Sequence, residues 1–81
     1  MNEKTTKMLD VMDSVLVKLE DAKNTQESLM EKLGYIEVEL FDIQSKDLDD
    51  ELDKIKVKAG EIFDAIGDTI EQFEIKRNKI E

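Results

Sequence analysis

Leu40-Phe41-Asp42-Ile43-Gln44-Ser45-Lys46-Asp47-Leu48 is the stretch whose reading decides the fold. Apolar residues keep helical spacing on both sides of it, but in two different phases. With Thr5 at heptad position a, the first series reads Thr5, Met12, Leu19, Gln26, Leu33 and Leu40 at a, and Met8, Val15, Ala22, Leu29, Ile36 and Ile43 at d. Spacings that alternate three and four over more than five heptads mark an amphipathic helix. Beyond the stretch, a is occupied by Leu52, Ala59, Ile66, Phe73 and Ile80, and d by Leu48, Ile55, Ile62 and Thr69. Carrying the first phase onward would place Asp47, Asp50 and Lys54 in the seam, so the phase shifts by one residue between Ile43 and Leu48.

Two architectures account for the shift. In one, the chain turns over about residues 44–47, and Ser45 or Asp47 caps a second helix whose first turn carries Asp47, Asp50 and Glu51, where the helix dipole favours carboxylates. This predicts an all-α fold in a single domain over residues 1–81, a long antiparallel helical hairpin resembling a coiled coil, with helices over about 4–44 and 48–78. In the other, one helix continues as a rod of about 110 Å, because a long coiled coil tolerates a one-residue skip and no Gly or Pro marks the junction. A third arrangement, a three-helix bundle, arises if Asn24 and Glu27 form a capping box where the seam is weakest, at Ala22 and Gln26. Against it, Gln26 reads as one polar layer in a continuous seam.

The apolar stripe is wider than a two-stranded coiled coil needs. Leu9, Leu16 and Met30 sit at e in the first phase, and Phe63 and Ile70 at e in the second. If a and d close the hairpin, this e file stays partly wet, and a four-helix bundle built with a second copy or another protein would cover it. Tyr35, Val38 and Phe41 fall outside the seam and form a second candidate contact, either for a partner or for the returning helix. The candidate interface residues are therefore Leu9, Leu16, Met30, Tyr35, Val38, Phe41, Phe63 and Ile70. Gly60 and Gly67, seven residues apart beside Ala59 and Ile66, read either as a strip for close helix approach or as weakened exposed positions.

Composition narrows the chemistry. The 81 residues include no His and no Cys, which removes the usual general base, the usual nucleophile and the commonest soft metal ligands. The acidic run from Asp47 to Asp53 lacks the central Gly and the ligand spacing of an EF-hand, and there is no phosphate-binding glycine loop. No catalytic residue, metal or other cofactor is expected. A net charge of -9 opposes direct binding to nucleic acid or to anionic lipid, and no apolar run reaches membrane-spanning length. The start, Met1-Asn2-Glu3-Lys4, has no signal-peptide core, which makes the cytoplasm the default location. The leading expectation is a non-enzymatic protein–protein interaction module (adaptor, chaperone or assembly factor) whose partner is another protein or a second copy. The alternatives are an acidic inhibitor, of phage or mobile-element type, that blocks a basic and nucleic-acid-binding surface of a target, and a structural coiled-coil rod.

Overall fold

The computed structural model describes residues 2–80. Two helices account for nearly all of them, α1 over Glu3–Leu40 and α2 over Lys46–Ile80, packed side by side in opposite directions. The Cα extents are 63 × 14 × 12 Å, so the continuous rod is replaced by the hairpin. A 38-residue helix rises about 57 Å, and the hairpin is therefore little longer than one of its own helices.

Each helix start is capped by a side chain. Asn2 Oδ1 accepts from the Thr5 N–H at 2.8 Å. Ser45 Oγ accepts from the Leu48 N–H at a long 3.4 Å, which makes Ser45 rather than Asp47 the cap of α2. Asp47 and Asp49 occupy the first turn of α2, and Arg77 and Lys79 the last, each on the side the helix dipole favours.

The first helix ends four residues before the sequence-based boundary. After Leu40 the backbone tightens: the N–H groups of Phe41, Asp42 and Ile43 reach carbonyls three residues back. Gln44 then takes a positive φ of 54° while its N–H bonds to the Leu40 carbonyl. A left-handed residue at this point stops the helix and reverses the chain, a role that usually falls to Gly. Because Gln fills it, the turn carries no glycine signal in the sequence.

The three-helix alternative does not form. α1 runs unbroken through Asn24–Glu27, and Ser28 Oγ donates to the Asn24 carbonyl inside the helix. Gln26 is instead a polar layer of the seam: its Nε2 donates to the Ala59 carbonyl across the hairpin at 3.0 Å.

The seam combines heptad positions a and e, not a and d. Buried residues comprise Leu33, Leu52 and Ala59 at a, and Leu9 and Ile70 at e. Half-buried residues continue both files, among them Leu16, Lys23, Lys56, Phe63 and Arg77 at e. Leu33, Leu52 and Ala59 form the tightest cluster, with Leu40 against it, near the turn. This corrects the expectation that e would stay wet. Spacing alone allowed both choices, since a to e and back (four, three) has the same rhythm as a to d and back (three, four). The e file also carries charges that find partners only when it faces the other helix. Lys56 pairs with Glu37, Arg77 forks onto Asp13 (Nε at 2.6 Å, Nη2 at 3.2 Å), and the Lys23 ammonium lies 5.3 Å from the Phe63 ring centre.

Candidate protein-binding interface

With a and e closed against each other, the d file is left outside. Its large members are Met8, Leu29, Ile36, Ile43, Leu48, Ile55 and Ile62, each 41–61% exposed. Val15, Ala22 and Thr69 complete it before Lys76 interrupts it near the open end. Relative to the seam, d lies on the same rotational side in both helices. In an antiparallel pair, reversing the helix direction and turning the helix to face its partner cancel, so equal rotations from the seam fall on the same side of the hairpin. The two d files therefore make one apolar face about two helices wide. Burying an aliphatic side chain fully yields about 1.5–3 kcal/mol, so each half-exposed member holds back roughly 1 kcal/mol.

Position g borders this face on the outer edge of each helix. It carries Lys4, Lys18, Lys32 and Glu39 on α1, and Glu51, Lys58 and Lys79 on α2. Of these only Glu51 forms an ion pair with a described residue, an exposed one with Lys54 at 3.3 Å within its own helix. The opposite side of the hairpin, built from positions b and f, is strongly acidic. Asp13, Glu20, Glu27, Asp53 and Glu74 lie at b, and Glu3, Asp10, Glu31, Asp50, Asp64 and Glu71 at f, against the single base Lys46. The net charge of -9 is thus concentrated away from the apolar face.

The residues singled out from the sequence divide accordingly. Leu9 and Ile70 are buried in the seam, Leu16 and Phe63 half-buried there, and Met30 lies at its margin. The hairpin itself covers most of this group. Tyr35, Val38 and Phe41 are each more than 60% exposed, with Phe41 beside a shallow depression that Lys46, Asp49 and Asp50 of α2 also line. They wind around the outer side of α1 toward the acidic back and do not join the d face. The sequence reading missed the d file as a contact surface because it assigned d to the hairpin seam.

The glycines do not mark a close helix contact within the hairpin. A Cβ added at Gly34 or Gly60 would meet nothing within 4 Å, and at Gly67 only the Lys23 amine and Cε at 3.8 and 3.9 Å. Both ion pairs across the seam move their titrations. The Arg77 hydrogen bond lowers the Asp13 carboxyl below its ordinary 3.8, and the Glu37 hydrogen bond raises Lys56 above its ordinary 10.5. Among the described residues no three acidic side chains gather closely enough to hold a metal ion, and no helix is long and apolar enough to cross a membrane. The surface depressions are shallow; one of about 80 Å³ lies between Met30, Leu33 and Lys56.

Comparison with protein-family models, curated proteins and solved structures found no match for this chain.

Proposed function

We propose that this chain is a non-enzymatic protein–protein interaction module that contributes two helices to a larger helical assembly, as an adaptor, chaperone or assembly factor. One observation carries the reading: the d file, which holds no charged residue from Met8 to Thr69, faces outward, while the charge-bearing e file fills the hairpin seam. A self-sufficient hairpin gains most by closing its most apolar files; leaving them open fits a chain whose core is completed by another set of helices. Charge segregation supports the same reading, since the acidic side is turned away from the surface that would be covered.

The test is a double substitution on the open face, Ile36→Glu with Ile55→Glu. Urea denaturation of the isolated chain should shift by no more than about 1 kcal/mol, because both side chains are already half in water. Association through the face should be lost. A double variant that unfolds the isolated chain as badly as a seam truncation would show the d file to be core, and the reading would fall.

The acidic back favours a second reading, an inhibitor that covers a basic, nucleic-acid-binding surface on a target protein. Such binding would run through positions b and f, weaken steeply with salt, and ignore the Ile36/Ile55 substitutions.

A further inference from the structure

We infer that the open face is covered by a second copy of this chain, in a two-fold dimer whose turns point in opposite directions and whose turn-proximal halves overlap. The inference rests on the interaction-module reading and names its partner.

The apolar content of the face is concentrated toward the turn. Leu29 and Ile36 on α1 are followed by Ile43 in the turn, and Leu48, Ile55 and Ile62 follow one another on α2. Toward the open end the file thins at Ala22, Thr69 and Lys76, beyond which α1 offers only the half-buried Val15 and the half-exposed Met8. The middle members of the two triads lie level, because their chain neighbours Glu37 and Lys56 are joined in an ion pair. Each triad is therefore symmetric about one line across the face, through Ile36 and Ile55. A two-fold rotation there lays aliphatic residues on aliphatic residues throughout, which is the self-complementarity an isologous interface requires.

The charged border selects the direction. On α1, Lys32 precedes that line and Glu39 follows it; on α2, Glu51 precedes it and Lys58 follows it. Both glutamates thus lie on the turn side and both lysines on the open side. When the second hairpin runs the opposite way, its glutamates fall over the lysines of the first. Face to face with the turns opposed, a two-fold rotation sets each α1 over the other copy's α1, so Lys32 meets Glu39 and Glu51 meets Lys58. When the second hairpin runs the same way, lysine meets lysine and glutamate meets glutamate, an arrangement that like-charge repulsion disfavours. The acidic back, which would oppose self-association, points outward in both copies.

A face limited to the turn-proximal half is at the low end of specific interface sizes, so the dimer is reversible, with a dissociation constant on the order of 10 μM. Ile36 lies about 10 Å below Ile43, so the overlap is roughly 25 Å long. Two 63 Å hairpins sharing it make a particle of about 100 Å.

The experiment is sedimentation equilibrium of the full chain over a concentration series, coupled to small-angle scattering at the concentrated end. The expected result is a mass rising from 9.4 kDa to twice that value, with a maximum dimension near 100 Å. Lys32→Glu should weaken the dimer about tenfold, and Glu39→Lys added to it should restore affinity, while Glu51→Lys added to it should not. Lys32 and Glu39 are exposed and take part in no ion pair among the described residues, so helix content by circular dichroism should stay unchanged in the variants at these two positions. A chain that stays monomeric at millimolar concentration overturns the dimer and leaves the module reading standing with another partner. A compact 63 Å dimer, or one that Lys32→Glu leaves equally tight, also overturns it. A dimer unaffected by Ile36→Glu with Ile55→Glu does not use this face, and the module reading falls with it.

Discussion

Leu33 and Ile36 are one turn apart on the same helix, and their fates differ: Leu33 is 6% exposed in the seam, Ile36 45% exposed on the open face. The contrast runs the length of the molecule. Of the files that flank position a, the hairpin closed the one carrying Lys23, Glu37, Lys56 and Arg77, and left out the one made of Leu, Ile, Val and Met with Ala, Thr and, near the open end, Lys76. Apolar content by itself did not choose the seam. Facing inward, the e file gives its charges partners and lets their aliphatic stems cover the a file. Facing outward, the d file keeps an uncharged surface available.

The sharpest way to break this contrast is truncation on each side of it. Leu33→Ala should cost about 2–4 kcal/mol, since it opens a cavity in the tightest cluster, while Ile55→Ala should cost no more than about 1 kcal/mol. Urea denaturation followed by circular dichroism, at concentrations where the chain is monomeric, gives both values. Equal costs would mean that the two files are equally buried in solution.

The turn joins the two files and can be strengthened without touching either. Gln44→Gly removes the left-handed strain at φ 54° and should stabilise the hairpin by about 1 kcal/mol, read in the same titration. A loss of stability there would place the reversal elsewhere. On the acidic back, Gly60→Ala should add about 0.5–1 kcal/mol through helix propensity, because a Cβ meets nothing there. A destabilised Ala variant would reveal a close neighbour on the back and so a second covered surface.

The smallest effect is that of pH on the seam's ion pairs. Asp13 titrates below its ordinary value in the folded chain, so its contribution is present above the unfolded pKa of about 3.8 and is lost as pH falls through the lowered folded value. Lys56 is raised, so its contribution is present below about 10.5 and is lost as pH rises through the raised folded value. Melting temperature should therefore hold a plateau between these limits with respect to both pairs. Asp13→Asn should flatten the acid limb alone, and a variant with an unchanged acid limb would show that the Arg77 fork does not form in solution.

Much of the hairpin was legible in the residues. The one-residue phase shift located the turn, Ser45 was readable as a cap, and Gln26 was readable as a polar layer in one long helix. The end of α1 was not, because Phe41 and Ile43 prolong the apolar rhythm past the point where Gln44 takes its left-handed conformation. The candidate contact surface was legible only as an excess: three apolar files where two would close a hairpin.

The sequence by itself determined two amphipathic segments, the one-residue phase shift between them and a stripe too wide for one partner, because helical periodicity and capping are properties of neighbouring residues; that the shift is a turn was decided by the structure. Only the tertiary structure decided which two files meet. The a/d and a/e rhythms are the same in one dimension, and the choice rests on pairings such as Glu37 with Lys56 and Asp13 with Arg77, whose members lie on different helices far apart in the chain.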